Sequence, residues 1–317
     1  MKYEVIHGEW DSFKNDENEY DLIYLDPPFF TQRRHKMSDN DKEIFFDDIW
    51  NNENEYNEWL KNVVETCWSK LSSVGTLYSH NNIQMNSLLY ANLESKVKDK
   101  FVTNISWQRS HPHNNIKNSW GNIVDSIMVF SKTNNPYFSV QYSPLDSTYK
   151  ENSFNNKDDV GYYSLAPITG EKSRLGYMFE YKGVSPKFGW RKKLEDIIEL
   201  DERGLIHFGK NKPYKKMYLS DSKGAPIQNI WTDIFPITRS ELNKREYPTQ
   251  KPIKLLERII TSSCPVGGKV LDPFGGSGTT LMASFSTKIP SFVKIVDKNP
   301  DAIDIIKGNI ETYLTNE

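Results

Sequence analysis

Short apolar runs alternate with amphipathic helical stretches twice in this chain, once before residue 136 and again after residue 246. That alternation restricts the fold more than any other feature. "DLIYL" (21–25) reads as a buried strand. "NEWLKNVVETCWSKL" (57–71) reads as a helix with Leu60, Val63, Val64, Cys67 and Leu71 on one face. "VGTLYSH" is a strand and "SLLYANLESKV" a second helix, and "TNISWQR" and "DSIMVFSKT" are further strands. The pattern resumes with "KPIKLLERIITSS", a helix with Pro252 in its first turn. A strand, a glycine-rich turn and a helix follow in "GGKVLDPFGGSGTTLMASF". "SFVKIVDKNPDAIDIIKGNIE" closes with a strand, an acid and a helix that presents Ala302, Ile303, Ile306 and Ile310. Strands and helices in this order predict an α/β protein with a doubly wound, mostly parallel sheet.

Residues 136–246 break the pattern. Helical signal is scarce there except around "WRKKLEDIIEL", while Tyr, Ser, Gly and Pro are frequent, so the segment reads as a loop-rich insertion. Three regions are expected: 1–135, 136–246 and 247–317. Net charge is only −2, so the chain as a whole does not announce a polyanionic partner, and local distribution matters more. Basic residues with interleaved aromatics run from Lys187 to Lys216, and "TQRRHK" (31–36) reads as a mobile basic loop. No apolar run approaches the roughly 18 residues of a membrane helix, and "MKYEVIHGEW" has no signal-peptide core, so a cytoplasmic protein is expected. Cys67 and Cys264 lie in no metal or redox spacing and read as inert thiols.

Two stretches look like parts of a site. In "DLIYLDPPFF" the prolines cannot continue a strand, so Asp26 falls at the strand's carboxyl end. In open α/β sheets ligands bind at that edge. In "VLDPFGGSGTT" (270–280), glycines between a strand and a helix permit a tight turn and close approach of backbone to a ligand. No lysine precedes Thr279, so this is not a polyphosphate loop. Asp297 ends the next strand about 20 residues on, where a dinucleotide-type fold places an acid on ribose hydroxyls. The ligand expected here is a nucleoside.

"DPPF" (26–29), "WTDI" (231–234), "YPTQKP" (247–252) and "DPFGGSGTT" (272–280), in this order, resemble the signature of the permuted, β-type DNA amino-methyltransferases. The resemblance covers most of the chain. Two positions depart from the family pattern: Gly8-Glu9 stands where Gly-Asp is usual, and no glycine precedes Asp297. The resemblance implies a circularly permuted fold of the S-adenosylmethionine (AdoMet) methyltransferase type, with the insertion as target-recognition region. It also implies AdoMet as cofactor, held by Thr249, Lys251, Asp272, Pro273, Phe274, Gly275, Gly276, Gly278, Thr279, Thr280 and Asp297. Catalysis would fall to Asp26, Pro27, Pro28 and Phe29. Arg33, Arg34, Lys36, Arg191, Lys192, Lys193, Lys215 and Lys216 would contact double-stranded DNA. A cognate restriction endonuclease and a homodimeric state come with the family; a metal does not.

These residue types suit the reaction. An exocyclic amino nitrogen is a poor nucleophile because its lone pair is delocalised into the ring. Acceptors on its two N–H groups, the Asp26 carboxylate and the Pro27 carbonyl, would pull it toward tetrahedral geometry. A base flipped out of the duplex could stack on Phe29. An Asp in the first motif position implies adenine N6 as target. The other readings are methylation of cytosine N4, an inactive DNA-binding partner with the same fold, and methylation of RNA or a protein glutamine.

Overall fold

The computed structural model describes residues 1–39, 42–112, 116–209, 212–237 and 250–316, with no side chains described for 35–47 and 316. The chain divides into two compact units, one formed by Met1–Gln141 with Gln228–Glu317 and the other by Tyr142–Ile227.

The larger unit opens with β1 (Lys2–His7) and β2 (Tyr20–Leu25), then an antiparallel hairpin of β3 (Arg33–Asp39) and β4 (Lys42–Asp48). Helix α1 (Glu53–Ser69), β5 (Leu71–Asn81), α2 (Ile83–Asn92), α3 (Ser95–Lys98), β6 (Phe101–Gln108) and β7 (Val124–Ser131) follow. The smaller unit holds β8 (Tyr142–Ser143), α4 (Ser147–Ser153), β9 (Asn156–Lys157), β10 (Tyr162–Pro167), α5 (Leu194–Glu202), β11 (Ile206–Phe208), β12 (Pro213–Tyr218) and β13 (Ala225–Pro226). The chain then returns to the larger unit with β14 (Ile230–Trp231), α6 (Ile253–Ser263), β15 (Lys269–Asp272), α7 (Thr279–Thr287), β16 (Phe292–Asp297) and α8 (Pro300–Asn316).

Eight strands form the main sheet in the order β1-β16-β15-β2-β5-β7-β6-β14. The first five run parallel, whereas β7 is antiparallel to both β5 and β6. Strand β2 sits in the middle, and five of its six residues are buried, which is why "YDLIYL" reads as a continuous apolar run rather than an alternating one. From β2 the chain moves through α1 to β5 on one side; from β15 it moves through α7 to β16 on the other. The connections therefore diverge between β2 and β15, and a crevice opens at the carboxyl ends of this pair.

Helices α1 and α2 pack on β5 and β7, α6 on β2, and α7 and α8 on β16. Phe13, Tyr20, Ile23, Leu60, Leu77 and Phe130 are among the fully buried side chains of the resulting core. Asn52 caps α1, its side chain accepting the Glu55 N–H at 3.0 Å, so the Asn-rich stretch before the helix is its start signal. Cys67 and Cys264 are buried free thiols, and burial pushes Cys264 up to about 12. Among the described residues no helix is long and apolar enough to cross a membrane.

Three expectations need correction. The "TQRRHK" segment is not a loop beyond Gln32: residues 33–36 belong to β3, paired with the β-favouring run "KEIFFDD" of β4. The second helix is two helices, because Leu93 adopts an extended conformation between them and is buried there. The smaller unit spans 142–227, not 136–246. Residues 228–237 rejoin the main unit because β14 pairs with β6 and the Trp107 indole N–H donates to the Ile234 carbonyl at 3.0 Å.

Candidate active site

Strand β2 ends one residue before Asp26, and β15 ends on Asp272. The strands pair directly, with Leu22 opposite Val270 and Ile23 opposite Leu271, so two acids far apart in sequence arrive at one edge. A cavity of about 500 Å³ opens there, with Asp26, Phe29, Lys251, Phe274, Gly276 and Asp297 among its lining residues. The size is that of a small-molecule site.

The segment after Asp26 is held from several sides. Tyr56 donates its hydroxyl to the Pro28 carbonyl at 2.6 Å, and the Asn82 amide donates to the Phe29 carbonyl at 2.9 Å. The Pro27 carbonyl accepts no hydrogen bond from the described residues. Asp48, the last residue of β4 and only 1% exposed, accepts the backbone N–H groups of Phe29, Phe30 and Thr31 at 3.1, 3.1 and 2.7 Å. It also accepts the Thr31 hydroxyl at 2.8 Å and the Trp50 indole N–H at 3.0 Å. The two phenylalanines part company: Phe30 packs on Tyr56, whereas Phe29 lines the cavity beside His80, ring centroids 5.5 Å apart.

Lys251 lines the cavity and pairs with Asp26. Its ammonium donates to both oxygens of Asp26, at 2.8 and 2.5 Å, and stands 5.2 Å from the Phe29 ring centre. Behind Asp26 sits a buried relay of polar groups. His80 Nδ1 is 2.7 Å from the Tyr24 hydroxyl and 3.9 Å from Asp26, and Nε2 is 3.2 Å from Asp125, which pairs with Arg109 at 2.7 Å. Burial and the acids Asp26, Asp272 and Asp125 hold the Tyr24 phenol well above its usual range.

The glycine turn shows why glycine is needed. A Cβ on Gly275 would stand 2.2 Å from the Ile295 side chain, and Gly278 has φ +79° where it caps α7. The Gly276 N–H donates to Asp297 Oδ2 at 2.7 Å, and the Asn299 N–H to Oδ1 at 2.8 Å. Each oxygen of Asp297 keeps a lone pair for a further donor. Asp272 receives the Thr280 hydroxyl at 2.5 Å and the Phe274 N–H at 3.0 Å. Burial pushes its carboxyl up to about 7, against those two donors, and Asp26 and Asp297 add to the rise. Asp297 is raised for the same first reason, burial. Thr279 opens α7 with its hydroxyl 3.0 Å from that of Ser277, and Pro273 is part of the cavity wall.

Arg33 and Arg34 are exposed at the start of β3. Thr249, and the side chain of Lys36, lie outside the described residues. Within the smaller unit, Lys192 and Lys193 are exposed, and Lys215 is half-buried on β12. Arg191 pairs with Glu171 and donates to the Thr169 carbonyl, and Lys216 pairs with Asp158 at 2.7 Å, so two of these cations already have acidic partners. Sequence reasoning does not single out Asp48, Tyr56, His80, Asn82 or Asp125. Polar "HNN" closing the apolar strand "LYSHNN" is a legible sign of a site, as is the acid pair closing "EIFFDD".

A family model described as DNA methylase, of the N6/N4 type, matches residues 20–307. The type II methyltransferase M.EcaI of Enterobacter cloacae is 30% identical over 268 residues, covering 83% of this chain and 59% of that protein. The Mod subunit of the type III restriction-modification enzyme StyLTI of Salmonella typhimurium is 25% identical over 307 residues, covering 83% of this chain and 46% of that subunit. The chain thus spans about half the length of these relatives. Among solved structures, the M1.HpyAVI–SAM complex is similar with a TM-score of 0.46 and 16% identity, covering 97% of this chain and 99% of that one.

Proposed function

Since the chain belongs to the N6/N4 DNA methylase family, we propose that it transfers a methyl group from AdoMet to the exocyclic N6 of an adenine flipped out of duplex DNA, within a bacterial restriction-modification system. One observation carries this reading. The Asp26 carboxylate, the Pro27 carbonyl, to which no described residue donates, and the Phe29 ring share one cavity with the glycine turn and Asp297.

The residues present fit AdoMet. Asp297 offers its remaining lone pairs to ribose hydroxyls, the glycine turn leaves backbone open to a ligand, and Phe274 supplies an apolar wall. When bound, AdoMet supplies a methyl group already activated on a sulfonium. What this chain must add is position. The Asp26 carboxylate accepts one amino N–H and the Pro27 carbonyl the other, which localises the nitrogen lone pair. Phe29 holds the base by stacking, worth about 1–3 kcal/mol. Lys251 neutralises Asp26, and a bound carboxylate would give the ammonium a second anion.

Duplex DNA is engaged through the phosphates by Arg33 and Arg34 on the hairpin, and the 142–227 unit reads the target sequence. A cognate endonuclease would cut the same sequence when it is unmodified.

Adenine follows from the aspartate that opens DPPF; the family as a whole covers both N6 and N4 chemistry. Expression in a methylation-free host followed by nucleoside mass spectrometry tests the assignment. N6-methyladenine is expected, and N4-methylcytosine in its place would overturn the choice of base.

A further inference from the structure

We propose that Asp48 is a positioning residue for methyl transfer: its buried carboxylate is the template on which the loop carrying Pro27, Pro28 and Phe29 takes its working shape. The inference rests on the reading of that loop as the target-base site.

The geometry is that of an anion nest. Three successive backbone N–H groups, from Phe29, Phe30 and Thr31, converge on one carboxylate. Such convergence requires an unusual backbone, and both Phe30 (φ +57°) and Gln32 (φ +53°) occupy the left-handed region that residues other than glycine rarely visit. Gln32 then ties the loop to the segment after β4, its amide donating to the Trp50 carbonyl and its oxygen accepting the Trp50 N–H, each at 2.8 Å.

Asp48 is therefore an acceptor for five donors, and none of its partners among the described residues is a cation. Only a carboxylate can serve all five. An asparagine of the same shape has one acceptor oxygen, and its NH₂ would face N–H groups. The nest also sorts the two aromatics: it sends the Phe30 ring into the core against Tyr56 and leaves the Phe29 ring on the cavity wall. With the nest intact, the Pro27 carbonyl, two residues upstream of Phe29, stays fixed and open to a donor. Four of the five donors to Asp48 belong to the loop itself and the fifth to Trp50, so it acts through the loop.

The cofactor side of the cavity depends on a different set of interactions, the glycine turn with Asp297. Loss of the Asp48 charge should thus separate turnover from cofactor affinity. The experiment compares wild type, Asp48→Asn and Asp48→Ala, with transfer of labelled methyl from AdoMet to genomic DNA of a methylation-free host and calorimetric titration of AdoMet. In Asp48→Asn, kcat should fall at least tenfold while the AdoMet Kd stays within twofold of wild type. Because Asp48 lines the cavity, formate should reach the space left in Asp48→Ala and restore kcat several-fold, whereas formamide at equal concentration should not.

Wild-type turnover in Asp48→Asn would overturn the proposal, as would equal relief by formate and formamide. Parallel loss of turnover, AdoMet affinity and thermal stability would overturn it as well, since Asp48 would then be a general structural residue. A wild-type protein that binds AdoMet but labels no DNA would instead overturn the methyltransferase reading itself.

Discussion

Asp272 is 2% exposed, faces two hydrogen-bond donors and has no cation among its partners in the described residues, and its carboxyl is pushed up to about 7. In the unfolded chain the same group titrates near 3.9. Between those values the native protein holds a proton that the unfolded chain has released. The stability contributed by this site is therefore complete below about pH 4, declines as pH rises, and is gone above about pH 7. A pH unit is worth about 1.4 kcal/mol while the native group stays fully protonated and less as pH nears 7, so between pH 5 and 7 the native state should lose about 2 kcal/mol at this position. Asp272→Asn removes the titration and keeps the shape. Urea unfolding of both proteins at pH 5, 6, 7 and 8, without ligand, isolates the difference and cancels titrating groups that do not interact with Asp272. Wild type should fall relative to the variant by about 2 kcal/mol from pH 5 to 7 and by only a few tenths of a kcal/mol more from pH 7 to 8. Parallel curves over the whole range would show that Asp272 is ionised in the native protein at no cost, and that burial without a cation does not govern it.

Asp26→Ala should abolish methyl transfer while AdoMet still binds, which paired transfer and calorimetric assays would read; transfer near the wild-type rate would remove Asp26 from catalysis. Asp297→Ala should weaken AdoMet binding tenfold or more, given about 1.5–3 kcal/mol per hydrogen bond to a charged group. Unchanged affinity would leave the carboxylate as a turn element only, holding Gly276 and Asn299. Replacing Arg33 and Arg34 together should weaken DNA binding at all sequences and flatten its salt dependence by about 0.9 for each phosphate no longer neutralised. Changes at Lys192 or Lys193 should include some that alter which sequence is methylated; a shift of target sequence in the arginine double variant would reverse the two roles.

The strands and helices bearing the two motifs are legible in the sequence because their signals are local. A fully apolar "DLIYL" and a strand–glycine–helix junction need no distant partner to be recognised. Adjacency of β2 and β15 is not local, and it follows from sequence only through the family resemblance. Harder still are the residues that shape the loop after Asp26. Asp48 looks like a polar strand end, Tyr56 like one more apolar position on α1, and His80 like the close of a strand; their roles exist only once separate elements converge. Lys251 illustrates the opposite case. Its motif locates it in the cavity, but its ammonium settles on the Asp26 carboxylate, and no motif encodes that choice. The hairpin reads as a loop from sequence because a basic run carries no strand periodicity, while the apolar half of the pair lies in β4.

The central strand of the sheet lies early in the chain, and one of its two neighbours comes very late. Asp21 on β2 receives the Lys269 N–H across 248 positions of sequence. At roughly 5–20 residues per second, β2 would leave the ribosome about 12–50 s before β15 exists to cover its edge. Throughout that interval an apolar strand built for burial on both faces has β5 on one side and an open backbone ladder on the other. Such an edge invites pairing with other chains. Yield of soluble protein should thus respond to translation speed and chaperone supply more than to the stability of the finished fold. Half the candidate site is made before its other half has been translated, and the chain's most exposed moment comes before it is complete.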